Sequence, residues 1–104
     1  MTHLSASKLT FSPKWADMND DDRLVEQVAA LEIVTKYGGE VKAQYVLLSD
    51  NCLLSVIDYP DETAAIKSAL AVERRGAFVV QQQTALTLDE VLSWQDETKT
   101  VAGR

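Results

Sequence analysis

The central part of the chain contains two apolar runs separated by a short polar turn. Residues 41–48 and 52–59 flank the turn Ser49-Asp50-Asn51, and this pattern predicts a hairpin of two strands. Alternate residues of the second run form two sets, both apolar. One set is Cys52, Leu54 and Val56, and the other is Leu53, Ile57 and Tyr59.

A strand with one face in water normally alternates between apolar and polar residues, so these two apolar sets predict cover on both faces of the sheet. Two amphipathic helices of the chain can cover one face. A second copy of the chain is the expected cover for the other face. The alternative is a loosely alternating sheet in which Tyr45 and Tyr59 are half exposed.

The N-terminal part of the chain predicts a strand, a short helical turn and a long helix. The strand covers residues 5–11, carries few apolar side chains and is a candidate edge strand. Ser12-Pro13 ends it, and the turn at residues 14–18 brings Trp15 back onto the core. The long helix begins in the acidic run at residues 19–22 and ends at Gly38-Gly39. Its apolar stripe is expected to be buried: Leu24, Val25, Val28, Leu31 and Val34.

The C-terminal half predicts a helix, a strand and a shorter helix. The first helix opens at Pro60-Asp61, with Asp61 as N-cap, and closes at Arg74-Arg75-Gly76. Its face of mostly small residues is expected to lie close to the sheet: Ala64, Ala65, Ala69 and Leu70, with Ile66 and Val72. The last strand covers residues 77–84. A capping box, Thr87 with Glu90, begins a helix through Trp94, and residues 96–104 are expected to form a frayed tail.

This order of elements predicts the fold class. Strand, helix, strand, strand, helix and strand make the ferredoxin-like βαββαβ arrangement of the α+β class, with an extra C-terminal helix. We therefore expect one domain over residues 1–104. It should contain an antiparallel four-stranded sheet with strands one and three at the centre and both long helices on one face.

Several short motifs occur in one order and spacing along the chain. They are Ser12-Pro13 before Trp15, Asp22-Arg23, Tyr37-Gly38-Gly39, Tyr45, Asp58-Tyr59-Pro60-Asp61, Ala64-Ala65, Ala69-Leu70-Ala71-Val72 and Leu86-Thr87. With this arrangement the chain resembles, from about Lys8 to Trp94, the GYD domain family of the dimeric α+β barrel group. The resemblance implies pairing of two sheets into a dimeric α+β barrel. Where the family carries Gly-Glu-Tyr-Asp at the hairpin turn, this chain carries Ser49-Asp50-Asn51-Cys52. A chemical role of the family's tyrosine and acid is therefore not carried over.

Composition and charge exclude several classes of partner. The 104 residues are 46% hydrophobic, enough for one globular core, and the net charge is −6. No basic run is longer than Arg74-Arg75, so nucleic acid and anionic membranes are not expected partners. The single cysteine, Cys52, cannot form an internal disulfide, and no apolar N-terminal stretch resembles a signal peptide. We expect the protein in the cytoplasm.

Motifs for catalysis, metals and cofactors are not found in the sequence. It contains no glycine-rich phosphate loop, no Gly-x-Ser-x-Gly and no Cys-x-x-Cys or His-x-His pair. The acidic run at residues 20–22 is interpreted as a helix cap, and Cys52 as a small buried residue. We predict no catalytic residue, no metal site and no cofactor.

Six residues are candidates for contact with a ligand: His3, Trp15, Arg23, Tyr45, Gln81 and Gln83. His3 is the only histidine, and it reaches a cleft if the first strand begins at Thr2. Arg23 either makes local ion pairs or holds an anionic ligand at the mouth of the barrel. Because strand residues alternate between faces, either Gln81 and Gln83 point into a barrel interior and Gln82 away from it, or the reverse.

Two functions are compatible with these features of the sequence. The favoured one is a non-enzymatic homodimer or larger homo-oligomer whose paired sheets bind a small apolar or aromatic ligand or form an assembly surface. The alternative is a cofactor-free enzyme, monooxygenase-like or isomerase-like, acting on a small aromatic or polyketide-like substrate in the barrel cleft.

Overall fold

The computed structural model describes residues 2–103. The strands are β1 (His3–Phe11), β2 (Glu40–Leu47), β3 (Cys52–Tyr59) and β4 (Phe78–Thr84). The helices are α1 (Pro13–Ala16), α2 (Asp20–Lys36), α3 (Glu62–Arg74), α4 (Leu88–Ser93) and α5 (Gln95–Val101). The strands form one antiparallel sheet in the order β2-β3-β1-β4. This confirms the predicted α+β class and antiparallel sheet, and it is compatible with a ferredoxin-like fold.

Strands β1 and β3 lie at the centre of the sheet, as the βαββαβ order predicts, so the interpretation of β1 as a candidate edge strand was wrong. Strand β1 pairs with β3 from His3 to Thr10 and with β4 from Ser5 to Phe11. Its few apolar residues indicated an edge position, but the polar residues Ser5 and Ser7 of this strand are buried.

The predicted helix ends are confirmed by their caps. The side chain of Asn19 accepts a hydrogen bond from the backbone N–H of Asp22 over 2.8 Å at the start of α2. Asp61 accepts one from Ala64 over 2.7 Å at the start of α3. Gly38, just after α2, has a φ of 79°, which a residue with a Cβ adopts only at a cost. Asn19 is therefore the cap of α2, and the acidic residues 20–22 form its first turn, where negative charge suits the helix dipole.

The two faces of the sheet are distinguished by β3. Ile57 and Tyr59 are buried in one cluster with Val34 of α2 and Ala65 of α3, so both long helices lie on this side, the inner face. Alternation puts Leu54 and Val56 on the opposite side, the outer face.

Most of the apolar stripe of α2 is not buried, contrary to the prediction. Only Val34 is buried, at 9% exposure, whereas the others are exposed by between 47% and 59%: Leu24, Val25, Val28 and Leu31. The helix is held at its C-terminal end by Val34 and in its first half by Glu26, whose carboxylate binds Arg75 through two bonds of 2.9 and 3.0 Å. Between these anchors Ala30 and Ile33 also pack against a core cluster that includes Phe78. The other side of α2, with Leu24, Val28 and Leu31, is not packed on the sheet and borders a cleft.

Helix α3 packs more closely on the sheet than α2 does. Its buried residues are Ala65, Ser68 and Val72. The expectation that Ile66 and Leu70 share this buried face was wrong, because they are 47% and 53% exposed. The closest contact with the sheet is thus made by small side chains.

The C-terminal residues form helices beyond the predicted one. The capping box of Thr87 and Glu90 is present at the start of α4. Helix α5 occupies most of the segment expected to be a frayed tail, whose last residue, Arg104, lies outside the described residues. Within residues 2–103, no helix combines the length and the apolar character that a membrane span requires.

Candidate functional site

A cleft of about 470 Å³ lies between the inner face of the sheet, α2 and α3. It exists because the side of α2 that carries Leu24, Val28 and Leu31 is not packed on the sheet. Its helical wall includes three half-exposed residues of α2, namely Leu24, Val28 and Leu31. All four strands contribute side chains to its floor. The cleft is therefore a concave, largely apolar site of the kind that binds small molecules.

One row of polar side chains crosses the floor of this cleft. In the registers of the sheet, Gln44 of β2 lies opposite Ser55 of β3, Ser55 opposite Ser7 of β1, and Ser7 opposite Gln82 of β4. These four residues, hereafter the polar row, all line the cleft. Each strand thus gives one hydrogen-bonding side chain at the same level.

The neighbouring row on the inner face is entirely apolar. It consists, strand by strand, of Val46, Leu53, Leu9 and Val80, which also line the cleft. The polar row is therefore a narrow band beside apolar side chains on the floor. The residues of α2 that line the cleft are apolar except for Gln27. Such a band orients a ligand, while the apolar walls supply contact area.

Hydrogen bonds to protein groups fix the polar row. The amide nitrogen of Gln44 donates to Ser55 Oγ over 3.3 Å, and that of Gln82 donates to the carbonyl oxygen of Ala65 over 3.1 Å. The hydroxyls of Ser5 and Ser7 are bonded to each other over 3.2 Å. Each of the two amides thus donates one N–H to a protein group, and its oxygen accepts no hydrogen bond from the described side chains.

The cleft is uncharged. Among the described residues that line it there is no Lys, Arg, His, Asp or Glu. Tyr59 is the one titratable side chain among these described lining residues. Burial raises its pKa, although the hydrogen bond to Ser68 acts in the opposite direction. Tyr59 therefore keeps its proton at neutral pH, and the arrangement suits a neutral ligand, because an isolated charge is costly to bury.

Comparison with protein families identifies the chain. The model of the GYD domain matches residues 9–94, which run from β1 into α4 and include the whole hairpin and most of the cleft. The chain belongs to the GYD domain family. No protein of curated function matches it significantly.

In this GYD domain, two of the predicted ligand residues belong to an aromatic cluster and do not line the cleft. The Trp15 ring stacks on Phe11 with centroids 4.5 Å apart and lies 5.2 Å from that of Phe78. The guanidinium of Arg23 lies 5.6 Å from the indole centroid, and Arg23 Nε donates to the Trp15 carbonyl over 3.2 Å. Arg23 also lies 4.0 Å from Asp20, so its contacts are local and join α1 to α2.

The other four predicted residues are also outside the lining of the cleft. His3 begins β1, opposite Tyr59. Tyr45 pairs with Leu54 and lies on the outer face, 57% exposed. Gln81 and Gln83 share that face, because they alternate with Gln82, which lines the cleft. Thus the structure brings Tyr45, Gln81 and Gln83 to one face of the sheet, but not His3, Trp15 or Arg23.

Sequence reasoning left the direction of Gln82 open and did not identify the other three residues of the polar row as ligand residues. A signal was present, since Ser55 interrupts the otherwise apolar alternate set of Leu53, Ile57 and Tyr59, and Gln44 is the last amide or charged side chain of β2 before the turn. The alignment of Gln44 and Ser55 with Ser7 and Gln82 depends on the register of three strand pairs, which single-strand patterns do not contain.

Metal ligands are not clustered in the part of the chain that the structure describes. Within residues 2–103, no group of three or more His, Cys, Asp or Glu side chains is placed to hold a metal ion. Cys52 is a buried free thiol.

Proposed function

We propose that this GYD domain protein binds a small, neutral and mainly apolar molecule in the cleft between the sheet and α2. The observation that carries the proposal is the polar row, a band of hydrogen-bonding side chains across the floor of a cleft with no charged lining residue among those described. Hydrogen-bonding groups next to apolar surface hold a polar substituent of an apolar ligand in one orientation.

The size of the cleft and the exposure of α2 support this proposal. A volume of about 470 Å³ suits a drug-sized ligand. Leu24, Val28 and Leu31 are each about half exposed although they face the cleft. A ligand in the cleft would remove this surface from water, at a gain of about 25 cal/mol for each Å² of apolar area.

The same features favour binding over catalysis. General acid–base catalysis is most efficient with a side chain whose pKa lies near the working pH and which is close to the substrate. Tyr59 is the one titratable lining residue among those described, and burial shifts its pKa upward, away from neutrality. We therefore rank the monooxygenase-like or isomerase-like alternative second.

We further propose that the protein is a homodimer in which the outer faces of two sheets meet, as in a dimeric α+β barrel. The outer face carries Leu54 and Val56 in its middle, and it exposes Tyr45 by 57% and Val79 by 50%. An apolar area on the order of several hundred Å² is rarely left uncovered in a monomer. In this assembly Gln81 would face the barrel interior. The cytoplasm would keep the thiol of Cys52 reduced.

The binding proposal can be tested with Nile red, a neutral apolar dye whose fluorescence rises in apolar surroundings. Two leucines form a matched pair, because Leu31 and Leu70 are both 53% exposed and both lie on helices, but only Leu31 lines the cleft. We expect Leu31→Lys to abolish dye binding and Leu70→Lys to leave it unchanged. Equal dye binding by both variants, or no binding by the unmodified protein, would contradict the proposal.

The natural ligand can be sought by native mass spectrometry of the protein purified from cell extract. An added mass that is present in the protein and in Leu70→Lys, but absent from Leu31→Lys, would belong to the cleft. Conversion of that molecule on incubation with the protein would favour the enzymatic alternative.

A further inference from the structure

We infer that the ligand of the cleft is an elongated apolar molecule with a hydroxyl group near each end, and that the side-chain amides of Gln44 and Gln82 bind these hydroxyls. The inference rests on the proposed function, since it assumes that the cleft binds a small molecule. It adds the chemical class of that molecule and the two residues that select it.

The positions of the two amides set the shape of the ligand. Gln44 is on β2 and Gln82 on β4, the two edge strands of the sheet. They occupy the ends of one row, with Ser55 and Ser7 between them. With neighbouring strands about 4.8 Å apart, three intervals separate their backbones by roughly 14 Å. A molecule that contacts both amides must therefore lie across the strands, and a compact one reaches only one of them.

The hydrogen bonds of the two amides set the polar groups of the ligand. One N–H of Gln44 is used by Ser55 Oγ and one N–H of Gln82 by the Ala65 carbonyl. Each amide then offers the ligand its oxygen, an acceptor, and its second N–H, a donor. A hydroxyl both donates and accepts, so it satisfies either group or both. An ether or an ester lacks the donor and leaves the amide oxygen unmatched.

The two middle residues of the polar row offer few free hydrogen-bonding groups to the ligand. Ser7 and Ser55 are each 3% exposed, and their hydroxyls already take part in bonds with Ser5 and Gln44. Leu9 and Leu53 occupy the adjacent row at the same two strands. The centre of the ligand thus meets packed, apolar surroundings, and the uncharged lining disfavours carboxylate or ammonium groups anywhere along it.

A pair of probes tests the inference: p,p′-biphenol, an elongated apolar molecule with a hydroxyl at each end, and its dimethyl ether, which lacks both donors. Isothermal titration calorimetry measures both affinities. We expect the biphenol to bind at least about tenfold more tightly than the ether, a ratio that corresponds to about 1.4 kcal/mol. Gln82→Met should remove most of this preference, because it replaces the amide with an apolar chain of similar length. Gln81→Met, one residue away on the outer face, should preserve it.

The outcomes separate this inference from the proposed function. Equal affinities for the two probes would overturn the hydroxyl inference and leave a neutral-ligand site in place. Failure of both probes to bind, while Nile red binding still depends on Leu31, would also overturn the hydroxyl inference and leave the neutral-ligand site in place. Absence of both probe and dye binding would overturn the two proposals together. If Gln82→Met does not fold, as circular dichroism would show, the probe ratio on the unmodified protein and on Gln44→Met decides the question.

Discussion

Tyr59 and Ser68 join β3 to α3 through one buried hydrogen bond. The Tyr59 hydroxyl donates to Ser68 Oγ over 2.9 Å, and the two residues are 2% and 1% exposed. A tyrosine ring over a serine lets α3 lie close to the sheet and satisfies both hydroxyls away from water. Both residues also line the cleft.

The first prediction concerns the stability and pH dependence that Tyr59 confers. Tyr59→Phe should lower the free energy of unfolding at pH 7 by about 1 kcal/mol, because it leaves the Ser68 hydroxyl without its donor. Burial raises the pKa of Tyr59 in the folded state. Its contribution to stability is therefore fully present below the ordinary tyrosine pKa of about 10 and is lost as the pH rises toward the folded value.

Urea unfolding measured at several values of pH checks this prediction. The unmodified protein should lose stability above pH about 10 more steeply than Tyr59→Phe does. Tyr37 and Tyr45 are present in both proteins, so the difference between the two curves reports Tyr59 alone. Parallel curves would show that the Tyr59 hydroxyl titrates alike in the folded and unfolded chains.

The second prediction concerns the hairpin turn. Asn51 has a φ of 51°, in the left-handed region that asparagine tolerates and β-branched residues avoid. Asn51→Val should lower the free energy of unfolding by about 1 kcal/mol or more. Asn51→Gly is the matched control and should be close to neutral, because glycine adopts this conformation without strain. An unchanged melting temperature for Asn51→Val would contradict the prediction.

The sequence predicted those features of the fold that local chemistry decides. The caps at Asn19 and Asp61, the glycine after α2 and the positive φ of Asn51 each depend on a few neighbouring residues. The hairpin and the order of elements follow from hydrophobic periodicity. These features could be predicted because short-range geometry and side-chain type are sufficient to specify them.

The features that sequence reasoning missed depend on how elements meet. The stripe of α2 has helical periodicity, but periodicity does not reveal that Leu24 and Leu31 border a cleft and remain half exposed. The polar row requires Gln44 and Gln82 to be aligned through two intervening strands. Trp15 and Arg23 are candidates for ligand contact by residue type, but in the structure they contact each other.

The third prediction concerns the partial packing of α2. Val34 is 9% exposed and contacts the core beneath α2, whereas Leu31, three residues earlier, is 53% exposed at the cleft. Val34→Ala should cost about 2 kcal/mol of unfolding free energy, since it removes two buried methyl groups and leaves a cavity. Leu31→Ala removes more atoms but should cost less than about 1 kcal/mol.

Chemical denaturation of the two variants checks this order of effects. Both substitutions introduce alanine, the best helix former, so helix propensity does not favour either outcome. A larger loss for Leu31→Ala than for Val34→Ala would mean that α2 is packed on the sheet in solution and that the cleft is closed.

The fourth prediction separates the two faces of the sheet. Val56 and Ile57 are neighbours on β3 and point to opposite sides: Ile57 is 4% exposed in the core with Val34, and Val56 lies on the outer face. An aspartate in place of Ile57 puts a charge into the core of one chain. An aspartate in place of Val56 puts a charge into apolar surroundings if a second copy covers the outer face. Ile57→Asp should abolish folding, whereas Val56→Asp should give a folded monomer. Light scattering and circular dichroism of the unmodified 11.5 kDa chain and both variants distinguish these states.

An unmodified protein that is monomeric at micromolar concentration would contradict the dimer proposal. Val56→Asp should then fold with nearly the stability of the unmodified protein. The cleft would survive that result, because it is lined by residues of one chain and lies on the other side of the sheet.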